Sequence, residues 1–152
     1  MPDCIFCTII EKKIPSSIIY EDKGFIAFLD IAPVNKGHSL VAPKQHYESL
    51  LSMPPKLLQE FSVVSQKIAG MIKKNLHADG INFLVNNDRA AGQEVMHVHQ
   101  HIIPRFINDG FRFLWPHQKY AEGEMAQVVK QIAASSNKSF SMKSYRNPSQ
   151  AR

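Results

Sequence analysis

Runs of apolar residues along the chain predict five short strands. Two of these runs are separated by Asp22-Lys23-Gly24, a sequence typical of a hairpin turn. We expect Pro104 to end the fifth strand. The predicted strands lie in SIIYED (residues 17–22), GFIAFLD (24–30), SLVAP (39–43), INFLVNN (81–87) and MHVHQHIIPR (96–105).

Apolar residues elsewhere recur at spacings of three and four, which predicts two main helices. The longer one begins near Pro54 and Pro55 and ends before Gly80, and EGEMAQVVKQIAAS (122–135) predicts a last helix. CIFCTIIEKKI (4–14) fits either a short helix or a turn. Because strands and helices are grouped rather than alternating, the predicted class is α+β with a mainly antiparallel sheet of about five strands.

Composition and charge exclude several classes of protein. A chain of 152 residues with 44% hydrophobic and 20% charged residues is typical of a soluble globular protein. No apolar run approaches the ~20 residues of a membrane span. The N-terminus shows no basic leader or signal-type cleavage site, so we expect a cytoplasmic protein without a membrane partner.

The net charge of +5 is concentrated at the C-terminus. Residues 137–152 contain four basic residues and no acidic one, and without these four the rest of the chain carries +1. We therefore expect one folded domain at 1–136, a basic disordered tail at 137–152, and no specific nucleic-acid partner. The four basic residues are Lys138, Lys143, Arg146 and Arg152.

Three histidines stand at alternate positions, His97, His99 and His101. On a strand they would share one face, with about 6–7 Å between neighbours along the backbone. Each would need a partner if that face were buried, because an unpaired buried polar group costs roughly 1–3 kcal/mol. Neutral imidazole binds metals and its protonated form binds anions, so the pattern indicates either a metal site or a phosphate site.

The segment His97-Val98-His99-Gln100-His101-Ile102-Ile103 resembles the signature of the histidine triad (HIT) family of nucleotide hydrolases and transferases, His-φ-His-φ-His-φ-φ with φ apolar. Gln100 departs from the pattern, but alternation places it on the face opposite the imidazoles. The resemblance covers roughly residues 4–105. It implies a HIT-like fold that pairs into a homodimer. The other matching segments, in the family's order, are CIFC, FLDIAPVNKGHSLVAPKQH, LVNN, AGQEV and HIIPR.

The resemblance also implies a mechanism. His99 would attack the α-phosphate of a bound purine nucleotide or nucleotidyl conjugate, and water would then cleave the nucleotidyl-histidine. We expect its other ring nitrogen to be hydrogen-bonded, for example to a backbone carbonyl. His101 would contact the phosphate, and His38 would complete the cluster.

Further residues are implied to bind substrate. Asp30 would accept from the ribose hydroxyls, although an aspartate there could equally cap the end of a strand. Glu94 stands where many relatives have serine or threonine, which leaves the choice between phosphoramidates and dinucleoside polyphosphates open. AGQEV (91–95) resembles the loop that binds the phosphates through backbone N–H groups, which includes Gly92, Gln93 and Val95. The remaining implied binding residues are Ile31 and Asn86.

The only two cysteines, Cys4 and Cys7, form a Cys-x-x-Cys pair. Structural zinc needs about four ligands. Some relatives bind zinc through such a pair with two histidines, and the resemblance assigns these to His46 and His97. The alternative is a pair of buried reduced thiols.

Two other functions fit the pattern. One is a nucleotide-binding regulatory protein with little turnover, and the other is a metal-storage or metal-sensing protein that uses HVHQH as its site. The aromatic stretch FRFLWPHQKY (111–120) either reaches a partner's pocket or covers the core.

Overall fold

The structure is a computed structural model that describes residues 4–112 and 116–134. It confirms an α+β chain with one five-stranded sheet. The short segment after Cys4 is a helix rather than a turn. The elements are α1 (Ile5–Ile10), β1 (Ile18–Glu21), β2 (Phe25–Leu29), β3 (Ser39–Pro43), α2 (Pro55–Asn75), β4 (Gly80–Leu84), β5 (Gln100–Arg105) and α3 (Glu124–Ala133), with 3-10 turns at Leu50–Ser52 and Arg89–Ala91.

The sheet has the strand order β1-β2-β3-β5-β4, and every neighbouring pair is antiparallel. The predicted hairpin forms between β1 and β2. Its turn is stabilised by Asp22, whose carboxylate accepts from the backbone N–H groups of Gly24 and Phe25 at 2.8 and 2.7 Å. β1 and β4 are the two edges of the sheet.

Both faces of the sheet are covered, which explains why β2 and β3 are buried almost throughout. The amphipathic helix α2 packs on one face, where Phe61 and Ile68 contact residues such as Val41 and Ile102. The short helix α1 packs on the other face through Phe6 and Ile9. The histidines lie on the α1 side of the sheet, so this helix forms part of their surroundings.

The end of β5 differs from our prediction. Pro104 does not end the strand, since it pairs with Ile81 of β4 and the strand continues to Arg105. In an antiparallel strand the N and C=O of one residue point to the same side. The Pro104 carbonyl accepts from Asn35, away from β4, so the missing N–H costs no ladder hydrogen bond.

The chain divides into two compact units, Met1–Phe111 and Arg112–Arg152. In the described part of the second unit α3 has no buried residue. The proposed tail at 137–152 and Trp115 lie outside the described residues, so the boundary at 136 stays a prediction. Of the aromatic stretch, Phe111 lies 4.7 Å from the Arg105 guanidinium and Tyr120 is exposed. Among the described residues, none of the helices has both the length and the apolar character required to span a bilayer.

Candidate active site and metal cluster

The three alternating histidines do not all belong to the sheet. Only His101 lies within β5, whereas His97 and His99 lie in the irregular segment before it. That segment is fixed by a hydrogen bond from the Val98 N–H to the Tyr47 carbonyl at 2.7 Å. The prediction of a strand through all three residues was therefore wrong, but the rings still lie side by side, with 4.9 Å between the centres of His99 and His101.

His99 is buried and its two ring nitrogens have different roles. Nδ1 lies 2.7 Å from the backbone carbonyl of His97, as expected from the sequence. A carbonyl can only accept, so Nδ1 carries the proton and Nε2 keeps its lone pair. Burial lowers the pKa of His99, which favours the neutral ring near pH 7. The arrangement presents an unprotonated nitrogen suited to nucleophilic attack.

His38 and His101 form a hydrogen-bonded pair with a defined direction. The Val34 N–H donates to Nδ1 of His38 at 3.3 Å, so the proton of the neutral His38 ring is on Nε2. That Nε2–H donates to Nδ1 of His101 at 2.9 Å, which places the His101 proton on its own Nε2. Burial lowers the pKa of His101 to about 4 and also lowers that of His38. His101 is thus a neutral hydrogen-bond donor near pH 7.

Asp30 follows β2 and lies beside this pair. Its Oδ1 accepts from the Ala32 N–H at 2.8 Å, so it does cap the strand end. Its Oδ2 lies 3.6 Å from Nδ1 of His38. The neighbouring Ile31 is fully exposed.

A cavity of about 580 Å³ opens beside Asp30 and is mostly apolar. Phe6 forms part of its wall and also contacts His99 edge-on, with 5.1 Å between ring centres. Sequence reasoning assigned Cys7 of α1 to the metal ligands but did not place any residue of this helix in the wall of the cavity. The apolar residues of the CIFCTII segment were the feature of the sequence that could have indicated a cavity wall. The other lining residues include Ile5, Ile9, Ile14, Phe28, Leu29, Ile31 and Leu40.

Gln93, which lies in the loop predicted to bind phosphate, has its side chain inside the protein. The residue is buried, and Oε1 accepts from the Asp88 N–H at 2.7 Å. Nε2 donates to the carbonyls of Glu48 at 2.7 Å and Val95 at 3.1 Å. Both donors and the acceptor are therefore used inside the protein. The side chain connects the loop before β5 to the segment after β3.

The other residues of the loop before β5 (86–95) are arranged around Gly92. Gly92 has a left-handed backbone with φ of 85°, and its carbonyl accepts from Nδ2 of Asn86 at 3.2 Å. Asn86 thus stabilises the loop. Glu94 is exposed, and Val95 is partly buried against the apolar residues around α1.

Cys4, Cys7, His46 and His97 form a compact cluster, with their ligand atoms all within 4.8 Å of one another. The cluster joins the first turn of α1 to the segment after β3 and the segment before β5. Nδ1 of His97 lies 3.4 Å from Sγ of Cys4 and 3.6 Å from Sγ of Cys7. Nδ1 of His46 lies 3.4 Å from Sγ of Cys7. A tetrahedral zinc ion with usual bond lengths gives sulfur–nitrogen separations of about 3.5 Å.

The electrostatics of the cluster also fit a metal. Nε2 of His97 donates to the Pro43 carbonyl at 2.8 Å, which leaves the lone pair on Nδ1 directed at the thiols. Burial lowers the pKa of His97 to about 4, so the ring is neutral. Burial, followed by the hydrogen bond and charge of Cys4, raises the pKa of Cys7 to about 11. A thiolate in this position therefore requires a cation.

The described residues do not bring the three histidines of HVHQH to one metal position. His97 belongs to the cysteine cluster, whereas His101 groups with Asp30 and His38. His99 belongs to neither group. The metal-sensor hypothesis based on all three residues has no support in this arrangement.

Sequence comparisons match this chain to one family of known proteins. Residues 11–108 match the family model of the HIT domain. An uncharacterized HIT-like protein of Methanocaldococcus jannaschii is 53% identical over 107 residues, covering 70% of this chain and 82% of its own. Adenosine 5′-monophosphoramidase of Saccharomyces cerevisiae is 38% identical, covering 86% of this chain and 81% of its own.

Solved structures show the same fold. A HIT family protein from Bacillus subtilis superposes with a TM-score of 0.79 at 41% identity, covering 87% of this chain and 96% of its own. A Zn-bound histidine triad family protein from Mycobacterium smegmatis has a TM-score of 0.70 at 36% identity, covering 88% of this chain and 97% of its own.

Proposed function

This chain belongs to the HIT domain family, and on that premise we propose that it hydrolyses nucleotidyl compounds at the α-phosphate and releases AMP or another nucleoside monophosphate. One observation carries the proposal. Nδ1 of the buried His99 donates to the His97 carbonyl at 2.7 Å, so Nε2 is available as a nucleophile. The phosphoramidase from Saccharomyces cerevisiae, named for its action on an adenylated compound, supports the substrate class.

The reaction has two displacements. In the first, Nε2 of His99 forms a bond to the α-phosphorus, and the bond from phosphorus to the leaving group breaks. The leaving group takes the bonding electron pair and a proton from solvent. In the second, a water oxygen attacks phosphorus, the phosphorus–nitrogen bond breaks, and the proton of the water is released. The Nε2–H of His101 donates to a phosphate oxygen as negative charge increases.

The nucleoside would occupy the cavity beside Asp30. A volume of about 580 Å³ with a mainly apolar lining suits a purine base, and this purine preference is part of the proposal. Asp30 Oδ2 would accept from the ribose hydroxyls. Phe6 would then contact both the nucleoside and His99, so the reacting phosphate would lie next to the imidazole.

Trapping the covalent intermediate tests the proposal. Protein mixed with adenosine 5′-phosphoramidate and quenched within milliseconds should carry one AMP, located on His99 by peptide mass spectrometry. His99→Ala should carry none and should lose at least about 10³-fold in kcat, while its AMP affinity changes little. His77→Asn, at an exposed histidine just after α2, is the control. AMP binding without an adduct or turnover would instead identify the regulatory protein.

The leaving group is the open part of the proposal. Glu94 is exposed in the loop beside the phosphate position, so its charge favours a basic amine over another phosphate. We therefore propose phosphoramidates as the better substrates. Comparing kcat/KM for adenosine 5′-phosphoramidate and diadenosine tetraphosphate, in the native protein and in Glu94→Ser, tests this choice. A preference for the polyphosphate in the native protein would contradict it.

We further propose that Cys4, Cys7, His46 and His97 hold a structural zinc ion. Their sulfur–nitrogen distances of 3.4–3.6 Å fit tetrahedral edges, and a Zn-bound relative has the same fold. Zinc would cross-link the N-terminal helix to the segment before β5 and would take no part in the phosphate chemistry.

A homodimer is also part of the proposal. β4 is an edge of the sheet and presents Phe83 with 49% of its surface exposed. The neighbouring helix α2 exposes Val63 and Met71. An exposed edge strand needs protection, and pairing with a second copy would provide it. The cytoplasmic location stays a prediction.

A further inference from the structure

A group of polar side chains at the end of β5 lies outside the residues assigned above. The guanidinium of Arg105 donates to both carboxylate oxygens of Asp109, at 2.7 and 2.8 Å. Asn35 donates from Nδ2 to Oδ2 of Asp109 and to the Pro104 carbonyl, both at 2.9 Å. The hydrogen bond from Arg105 keeps the pKa of Asp109 well below its usual range. We call Arg105, Asp109 and Asn35 the clamp.

The clamp is connected to the His38 ring through one turn of backbone. The Asn35 carbonyl accepts from the His38 N–H at 2.9 Å. The preceding residue, Val34, donates its N–H to Nδ1 of His38. Asn35 therefore fixes the turn from both sides, with its side chain on β5 and its carbonyl on His38.

Close packing at Gly37 also fixes this turn. Gly37 has φ of +93°, and a Cβ there would lie 2.2 Å from Cδ1 of Leu76. Such contact leaves the backbone little room to shift. The position of the Val34 N–H is thus determined by the clamp on one side and by packing on the other.

His38 has a second possible proton arrangement. Oδ2 of Asp30 lies 3.6 Å from Nδ1 of His38, close enough to attract a proton onto that nitrogen after a small shift. The Val34 N–H would then lose its acceptor. Nε2 of His38 would present a lone pair to Nδ1 of His101, 2.9 Å away. His101 would have to carry its proton on Nδ1, and its Nε2 could no longer donate to a phosphate.

We propose that the clamp sets the tautomer of His38 and, through it, the nitrogen on which His101 presents its proton. Arg105, Asp109 and Asn35 are therefore positioning residues that touch no substrate. The effect on turnover rests on the proposed function, whereas the effect on the tautomer does not. The two can fail separately.

Nitrogen NMR of the imidazole rings tests the proposal in the full chain at pH 7.5 with measured zinc content. In the native protein both His38 and His101 should have the proton on Nε2. Asn35→Ala should give His38 a substantial Nδ1–H population, and kcat for adenosine 5′-phosphoramidate should fall about 10- to 100-fold with a smaller change in KM. Asn35→Asp keeps the shape of the side chain but loses both N–H donors, and it should show the same changes in tautomer and kcat.

Asp79→Ala is the matched control. The Asp79 carboxylate accepts from the Ile107 N–H at 2.7 Å, in the loop between β5 and Asp109. This variant therefore loosens that loop without removing any hydrogen bond of Asn35. It should leave the tautomers and kcat unchanged. Native tautomers in both folded Asn35 variants would overturn the proposal even if the native enzyme is active. A tautomer change in a protein that cleaves no nucleotidyl substrate would support the clamp and reject the proposed function.

Discussion

At the scale of single residues, backbone groups decide which nitrogen of each imidazole is available. The His97 carbonyl accepts from the protonated Nδ1 of His99, and the Pro43 carbonyl accepts from the protonated Nε2 of His97. The Val34 N–H donates to the lone pair on Nδ1 of His38. Similar rings in one cluster therefore differ in chemistry. The sequence predicted the cluster and the carbonyl partner of His99, but not the role of Val34, because the turn that places its N–H depends on contacts with β5.

The buried ring of His101 should make stability depend on pH. Its folded pKa of about 4 lies below the usual 6.5, so the unfolded chain binds the proton first as the pH falls. Its contribution is complete above pH 6.5 and is lost as the pH falls toward 4. The lowered pKa of His38 acts in the same direction.

Urea unfolding at pH 7.0 and pH 5.0 measures this effect. The free energy of unfolding should fall by on the order of 1–2 kcal/mol for this residue over that interval. His101→Asn, which can still accept from His38, should show a smaller fall at equal zinc content. An identical pH dependence in the variant would show that this ring does not contribute.

At the scale of elements, the loop before β5 is built on the segment after β3. Gln93 connects them through the Glu48 carbonyl, and Oδ1 of Asn87 accepts from the Leu50 N–H at 2.8 Å. The same segment carries His46 of the candidate metal cluster. The loop expected to contact phosphate thus takes its shape from side chains that point into the protein.

Gln93→Ala should disrupt this loop. The change leaves the Asp88 N–H and two carbonyls without their partner, which costs on the order of 2–3 kcal/mol in the free energy of unfolding. AMP affinity measured by calorimetry should fall with it. Gln93→Glu keeps the shape but loses both donors and should be similarly harmful. Unchanged AMP affinity in a folded Gln93→Ala protein would contradict a shaping role.

The sequence predicted elements better than the contacts between them. Apolar periodicity identified all five strands and α2, because burial on the sheet faces is a local property of the pattern. It did not identify Gln93 as buried, since its partner Glu48 is 45 residues away. The predicted end of β5 was wrong because a strand tolerates Pro104 only beyond the point where its pairing with β3 stops. The lining of the cavity by α1 was missed because it depends on tertiary packing.

At the scale of the whole molecule, the sheet is closed on both faces but open at its edges. We expect two features to depend on partners outside this chain. Stability would depend on an ion bound at the candidate metal cluster, and assembly would depend on a second copy that pairs with the edge strand β4. Each gives a separate test.

Cys4→Ala should reduce zinc content and stability before it reduces chemistry. Removing one of four ligands should lower the bound zinc, measured by atomic emission, from about one per chain to well below half, and should lower the melting temperature by several degrees. His77→Asn, an exposed histidine outside the cluster, is the control. A variant that retains full zinc would show that the four residues are not the ligand set.

Phe83→Asp should separate the proposed dimer. Light scattering of the native protein should give about twice the chain mass of 17.2 kDa, and the variant should give a single chain, because a carboxylate at the edge opposes strand pairing. Ile19→Asp, on the opposite edge strand β1, should remain dimeric. A native protein with the mass of one chain would exclude the dimer.

His97 serves two neighbours at once: its ring faces the cysteine sulfurs, and its main-chain oxygen fixes the adjacent imidazole. A consequence for the laboratory is that chelating buffers or oxidising storage, which attack the sulfurs, should lower the melting temperature before they lower the specific activity. Batches of purified protein should therefore differ in thermal stability according to their metal occupancy.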